Sequence, residues 1–136
     1  MRKRTLAREC VLKILYKIEI SRDSMESSME DFWSREKFGE DIKDFADSFV
    51  RGISENRTRI DGIISKYADN WDIKRMAVID KNILRIGTFE LLYRDDVPSK
   101  VSINEAIELA KKYGDIDSSK FVNGILDKVK SSECKN

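Results

Sequence analysis

Residues 101–129 read VSINEAIELAKKYGDIDSSKFVNGILDKV and carry the clearest structural pattern in the chain. Its apolar residues recur at spacings of three and four on both sides of a polar segment, which predicts two amphipathic helices joined by a loop. Ser102 followed by Glu105 fits a capping box, so the first helix is expected to begin near Ile103. Gly114 is expected to end that helix in a left-handed conformation. The stretch therefore predicts a helix–loop–helix unit whose loop is held at both ends.

The same helical spacing runs through most of the remaining chain. Residues 6–20 carry one apolar stripe, and a second row is formed by Leu12, Tyr16 and Ile20. This wide apolar surface either binds a partner or packs on several sides as part of a central helix. Residues 78–92 have the spacing of a strongly buried helix, which we predict to be the core of the fold.

Polar residues and the only proline mark the helix boundaries. Ser24 and Asp72 are expected to cap helices, and the buried helix is expected to end around Tyr93, ahead of Pro98. Residues 40–69 are compatible with one long helix or with two. Because no stretch alternates long enough for a strand, we predict an all-α fold. It should be one compact domain over the 136 residues, with six or seven helices packed as one or two small bundles.

Composition excludes several classes of protein. Hydrophobic residues make up 40% and charged residues 38% of the chain, a balance typical of a folded domain. The chain has no histidine, which removes the usual general base, and its two cysteines lie near opposite ends. A glycine-rich phosphate loop and metal-ligand spacing are also absent. We therefore predict a protein that is not an enzyme and uses neither cofactor nor metal.

The distribution of polar residues also bears on location. The chain opens with basic residues but lacks the apolar segment of a signal peptide, and no stretch has the length of a membrane span. We expect a cytoplasmic protein with no membrane contact. The net charge is only +1, so the partner must be inferred from where the charges lie.

The first candidate binding site is a basic cluster at the start of the first helix. It consists of Arg2, Lys3, Arg4 and Arg8, of which Arg8 lies one turn beyond Arg4. Such a cluster suits the phosphate backbone of single-stranded RNA. The alternative is an ordinary basic terminus that only aids solubility.

The second candidate site is the polar loop and the helix start that follows it. Ser118 and Lys120 would offer a hydroxyl and an ammonium donor where a helix N-terminus already favours phosphate. Phe121 would stack on an unpaired base, and Asn123 would read a base edge. The alternative is that Phe121 belongs to the core and that Ser118 only caps the helix.

A third candidate surface would bind a protein. Tyr16, on the second apolar row, combines with Asp80 and Glu90 to give a mixed aromatic and acidic patch suited to a basic partner. The alternative is a solvated helix face. The same apolar rows would also serve a homodimer, and periodicity does not separate the two kinds of partner.

Several of these segments together resemble the NusB family of bacterial transcription antitermination factors. The resemblance rests on TLAREC at residues 5–10, Asn70-Trp71, ILRI at residues 83–86 and, most densely, residues 96–128. It implies an all-helical RNA-binding domain that pairs with the ribosomal small-subunit protein NusE. That pair would recognise the boxA element of nascent RNA from ribosomal RNA operons, within the antitermination complex of RNA polymerase.

The resemblance also bears on individual residues and on alternatives. It implies that the basic cluster and the segment DSSKFVNG at residues 117–124 face RNA, and that Tyr16 and Asp80 face the protein partner; Glu90 is our own addition. A similar fold occurs as the front domain of ribosomal RNA cytosine methyltransferases. Because the sequence has no following nucleotide-binding domain and no Pro-Cys nucleophile, we expect the stand-alone factor. A protein-interaction adaptor without an RNA role is the remaining alternative.

Overall fold

The computed structural model describes residues 2–69 and 71–134, apart from the side chain of Arg2. These residues form seven α-helices and one short 3-10 helix, Ile73–Arg75, and none of them forms a strand, which confirms the all-α prediction. The helices in chain order are α1 (Arg2–Ser21), α2 (Met25–Arg35), α3 (Glu40–Glu55), α4 (Arg57–Tyr67), α5 (Val78–Tyr93), α6 (Ser99–Tyr113) and α7 (Ser118–Glu133).

Helix α5 is the centre of the fold, as its apolar spacing predicts. All ten residues from Lys81 to Glu90 are buried, and α5 packs against α1, α3, α4, α6 and α7. Two glycines allow close packing between α5 and the neighbouring helices. Gly52 on α3 gives room to the ring of Phe89, and Gly87 on α5 gives room to Leu126 of α7. A Cβ atom at either glycine would lie within 2.6 Å of the neighbouring side chain.

The segment from residue 40 to residue 69 forms two helices rather than one. Asn56 separates α3 from α4, and its side-chain amide donates to the carbonyl of Gly52 at 2.8 Å. The same carbonyl also accepts the backbone N–H of Asn56 at 3.1 Å, so Asn56 closes the last turn of α3 with two hydrogen bonds.

Two predicted caps are confirmed. The Ser24 hydroxyl accepts the backbone N–H of Ser27 at the start of α2. The Asp72 carboxylate accepts the backbone N–H of Lys74, although the helix that it caps is the short 3-10 turn. The long helix α5 begins only at Val78.

The predicted capping box is wrong. Helix α6 begins at Ser99, directly after Pro98, rather than near Ile103. The fixed φ of proline suits the entry into a helix, so α6 gains an additional turn. Ser102 lies inside that turn, where its hydroxyl donates to a carboxylate of α5 instead of capping its own helix.

The predicted left-handed stop at Gly114 is also wrong. Its φ is −91° and its ψ is −169°, an extended conformation. A Cβ atom at this position would lie 2.4 Å from the Ser118 hydroxyl. The glycine is therefore required by the close approach of the loop to α7 rather than by a positive φ.

Candidate nucleic-acid and partner interfaces

The first turn of α1 places two cations at the surface. Lys3 Nζ lies 2.8 Å from the carboxylate of Asp41 at the start of α3. The guanidinium of Arg4 lies 4.7 Å from the centre of the Phe45 ring and donates to Asp96 at 3.4 Å. Both side chains remain about half exposed or more, so both can reach a phosphate. The predicted contact by Arg2 involves a side chain that lies outside the described residues.

The structure corrects the prediction for Arg8, which lies in the interior and not on the surface. Its side chain is only 3% exposed, and its Nε and Nη2 donate to the two carboxylate oxygens of Glu90 at 2.8 and 2.7 Å. A third guanidinium nitrogen lies 3.4 Å from Glu105. Arg8 points inward because it lies one helical turn before the buried Leu12 and shares its face of α1.

The same ion pair corrects the prediction for Glu90, which is only 1% exposed and makes no surface patch. Its second oxygen also accepts the hydroxyl of Ser102 at 2.9 Å. Burial lowers the pKa of Arg8, but the hydrogen bonds and charge of Glu90 offset burial, so the net shift is upward. The ion pair and the Ser102 hydrogen bond join α1, α5 and α6 in the core.

The loop between α6 and α7 is organised by Ser118, whose hydroxyl is buried. It accepts the backbone N–H of Asp115 at 2.9 Å and donates to the carboxylate of the same residue at 3.2 Å. That carboxylate also accepts the backbone N–H of Asp117. The prediction that Ser118 is an RNA donor is therefore wrong, because its hydrogen bonds are used to shape the loop.

The beginning of α7 combines a cation, an aromatic ring and an amide. Lys120 is exposed, while Phe121 and Asn123 are half-buried. Phe121 packs against Trp71 with ring centres 5.9 Å apart and planes at 62°. From the sequence, Phe121 is either a core residue or a ring that stacks on a base. The ring is half-buried, so it packs on the protein and still reaches the surface.

A cavity of about 260 Å³ opens beside these two rings, and we call it the Trp71–Phe121 cavity. Trp71 is 54% exposed, which is unusual for so large an apolar side chain. The sequence interpretation did not assign it to the site, although an aromatic residue at a helix boundary was a usable signal. The remaining lining residues are Arg75, Met76, Ala77, Asp80, Asp115 and Asp117.

Asp80 lies in this cavity, next to Phe121. One of its carboxylate oxygens is buried and finds no hydrogen-bond partner among the described residues. Such a buried oxygen is costly to leave unpaired.

The last turns of α1 leave an apolar row at the surface. Tyr16 is 43% exposed and Ile20 is 57% exposed, and the four-residue spacing puts them on one face. Leu12, the third member of the predicted row, is buried. The first residue of the row therefore belongs to the core, and the other two lie at the surface, where partner binding stays a prediction.

Two cations of α5, Lys81 and Arg85, are paired inside the protein. Arg85 donates to both carboxylate oxygens of Asp61, at 2.8 and 3.0 Å, and to Glu19 at 3.1 Å. Lys81 also pairs with Glu19. Burial raises the pKa of Glu19, but hydrogen bonds from Lys81 and Asn82 offset burial, so the net shift is downward. This network connects α1, α4 and α5, and sequence periodicity does not reveal it.

The described part of the chain contains no group of three or more cysteine or acidic side chains arranged to hold a metal ion. None of its helices combines the length and the apolar character needed to cross a membrane.

An all-helical fold with exposed cations at two surface sites, one of them beside the exposed ring of Trp71, has the features of a nucleic-acid-binding protein. Comparison with known proteins identifies the family. The model of the NusB family matches residues 5–131, and the chain belongs to this family.

Relatives match over nearly the whole chain. It is 46% identical to the transcription antitermination protein NusB of Thermodesulfovibrio yellowstonii, over 98% of this chain and 96% of the relative. It is 47% identical to the NusB of Anaeromyxobacter dehalogenans, over 95% of this chain and 91% of the relative.

Solved structures give the same result. The NusB structure from T. maritima superposes with a TM-score of 0.89 at 42% identity, covering 95% of this chain and 91% of that one. A crystal structure of the antitermination factors NusB and NusE in complex with dsRNA superposes with a TM-score of 0.87 at 26% identity, covering 97% and 98%.

Proposed function

We propose that this protein is a transcription antitermination factor that binds boxA-type single-stranded RNA jointly with a NusE-type ribosomal protein. The observation that carries the proposal is the exposed Lys120 beside the Trp71–Phe121 pair, in a chain of the NusB family. The complex of a 26% identical NusB with NusE and dsRNA supports the choice of partners. The protein would act in the cytoplasm on transcripts of ribosomal RNA operons, within the antitermination complex of RNA polymerase.

The RNA side of this proposal uses two surfaces. Lys3 and Arg4 would contact phosphates, as would Lys120 at the start of α7. Phe121 would stack on an unpaired base, and Asn123 would donate to or accept from a base edge. Trp71 extends the aromatic surface beyond a single ring.

The partner side uses the exposed row of α1 and Asp80 of α5, which the family resemblance also assigns to the partner. Tyr16 and Ile20 would supply the apolar contact, and an aromatic residue is a frequent centre of a protein interface. Asp80, which lines the Trp71–Phe121 cavity, would supply a negative charge to a basic ribosomal protein. The protein would thus act by binding RNA and a protein partner, without catalysing a reaction.

Fluorescence anisotropy tests this proposal. A labelled boxA-type RNA and a scrambled RNA of the same length are titrated with the protein, alone and with the NusE-type partner, at two salt concentrations. We expect tighter binding of the boxA-type strand with the partner and weaker binding at high salt. Equal affinity for both strands under every condition would leave the adaptor function as the better account.

A further inference from the structure

The first five helices meet around a cavity of about 310 Å³, and each of them contributes to its lining. We call it the five-helix cavity. Ile18 lines it from α1 and lies two residues from both Tyr16 and Ile20, which puts it on the opposite side of that helix from the exposed row. The described lining residues include none that the proposed function assigns to RNA or to the protein partner. The cavity is therefore a separate candidate site.

The walls of the five-helix cavity are aliphatic. Leu15, Val50 and Ile53 are buried core residues, and Ile18 and Met25 are partly buried against them. The described lining contains no aromatic ring, so a nucleobase would find no surface on which to stack. The volume lies at the lower end of the range of ligand cavities, which is roughly 300–1,000 Å³. These walls suit a small ligand with an aliphatic chain.

The polar side of the cavity presents free hydrogen-bond donors. Nε of Arg57 donates to Asp61 at 3.0 Å, whereas the two terminal nitrogens of its guanidinium bond to none of the described residues. Ser54 is exposed at the same side, and its hydroxyl also lacks a partner among the described residues. A guanidinium can bind a carboxylate with two parallel hydrogen bonds. The donors therefore suit an anionic head group at the end of the aliphatic chain.

The one carboxylate in the described lining, Glu19, does not oppose such an anion, because its charge is compensated. Lys81 and Arg85 both pair with it. Arg85 also holds Asp61 with two hydrogen bonds, at 2.8 and 3.0 Å, so Asp61 keeps a strong partner when Arg57 binds a ligand. The whole network has one cation in excess: Arg57, Lys81 and Arg85 against Glu19 and Asp61. A cavity with this balance favours a negative charge.

We propose that the five-helix cavity binds a small aliphatic carboxylate, with the chain among the apolar walls and the carboxylate on Arg57. The hydroxyl of Ser54 would donate a further hydrogen bond to the same carboxylate. This proposal goes beyond the proposed function, because it requires neither RNA nor a protein partner. A ligand in this cavity would contact several helices at once, so its binding would also raise the melting temperature.

The test uses the intact protein and octanoate, a carboxylate with a straight aliphatic chain. The protein carries ¹³C at its methionine methyl groups, because Met25 lines the five-helix cavity and Met76 lines the Trp71–Phe121 cavity. We expect octanoate to shift the Met25 resonance in a saturable way and to leave the Met76 resonance in place. 1-Octanol and octylamine have the same chain without the negative charge, and each should bind about tenfold more weakly.

Two arginine variants test the head-group contact. Arg57→Gln should weaken octanoate binding about tenfold and leave 1-octanol binding unchanged, because only the anion uses the guanidinium. Arg59→Gln is the matched control, since Arg59 is also exposed in the first turn of α4 but is not part of the described lining. It should bind octanoate as the wild type does. Unchanged binding of 1-octanol by Arg57→Gln also shows that the cavity is intact in that variant.

Three outcomes would overturn the proposal. The first is equal affinity for octanoate and 1-octanol, or an unchanged affinity of Arg57→Gln for octanoate. The second is a larger shift of Met76 than of Met25, which would place the ligand in the Trp71–Phe121 cavity. The third is the lack of a saturable shift of Met25 below the concentration at which octanoate forms micelles. None of these outcomes concerns RNA affinity, so the proposed function is tested separately by anisotropy.

Discussion

Gly52 and Gly62 are both glycines inside helices, yet their surroundings differ. A Cβ atom at Gly52 would lie 2.4 Å from the ring of Phe89, whereas a Cβ atom at Gly62 would meet nothing within 4 Å. Sequence alone shows only that glycine weakens a helix at both positions. The close approach of α5 to α3 makes one glycine necessary and leaves the other without a packing role.

Alanine substitutions at these two glycines are expected to have opposite effects. Gly52→Ala should lower the free energy of unfolding by about 1–3 kcal/mol, because Phe89 must move. Gly62→Ala should raise it by up to about 1 kcal/mol through better helix propensity. Urea denaturation followed by circular dichroism measures both changes. A similar effect at the two positions would contradict the packing of α3 on α5.

Arg4 and Arg8 also differ at the residue scale, since one is exposed and the other is buried with Glu90. Arg8→Met should cost about 3–5 kcal/mol of stability, because it leaves a buried carboxylate without its partner. Arg4→Met should cost less than about 1 kcal/mol. Thermal unfolding of the two variants makes the comparison, and equal stability would contradict the internal ion pair.

The same pair permits a second check at the residue scale. The double variant Arg8→Met with Glu90→Leu removes both charges, so it should be less destabilised than Arg8→Met alone. Denaturant unfolding of the wild type, both single variants and the double variant gives the coupling free energy. Strict additivity of the two changes would mean that the residues do not interact.

At the scale of single elements, periodicity predicted the helices well and the roles of individual polar residues poorly. The stripes of α1, α5 and α7 follow from apolar spacing, because burial of one face is what stabilises these helices. Ser102 and Glu105 fit a capping box in sequence, but both are bound by groups on other helices. Contacts between segments far apart in the sequence determine which groups these side chains bind. Local residue spacing does not reveal those contacts.

Two clues to the buried ion pair were nevertheless present in the sequence. Arg8 precedes Leu12 by four residues, and Glu90 lies within the apolar run of α5. Charges at such positions are expected to be paired in the core. The place of Trp71 in the site was harder to predict, because it depends on how the 3-10 turn lies against α7.

The start of α7 is the element that we expect to bind a base. Phe121→Leu should weaken RNA binding by about 1–3 kcal/mol, since it removes a stacking surface while keeping an apolar side chain. Phe38→Leu is the matched control, because Phe38 is also partly exposed but packs against Trp33 of α2. Anisotropy with boxA-type RNA measures both variants. Equal losses would place the stacking surface elsewhere.

For the whole molecule, stability should depend little on pH near neutrality, because the chain has no histidine. Arg94 lowers the pKa of Asp96 to about 2 through hydrogen bonds, and the pKa of Glu19 is also lowered. A carboxylate whose pKa is lower in the folded state stabilises the fold above its unfolded pKa. This contribution is lost as pH falls through the folded pKa.

The melting temperature should therefore stay nearly constant from about pH 8 to pH 6 and fall between about pH 4 and pH 2. Differential scanning calorimetry across this range checks the expectation. The share of Asp96 should be small, because its side chain is about half exposed and solvent screens the interaction. A transition centred between pH 6 and pH 7 would contradict this account of the charges.

The proposed function requires that Lys3 and Arg4, in the first turn of α1, bind the phosphate backbone of RNA while Arg8 stays in the core. The most direct measurement is the dependence of RNA affinity on salt for the wild type and for the double variant Lys3→Ala with Arg4→Ala. Loss of two phosphate contacts should reduce the slope of log affinity against log salt by about 1.4. The control is the double variant Arg35→Ala with Lys37→Ala. Both residues are exposed, one at the end of α2 and one just after it, so the slope should not change. An unchanged slope for the Lys3 and Arg4 variant would contradict the claim.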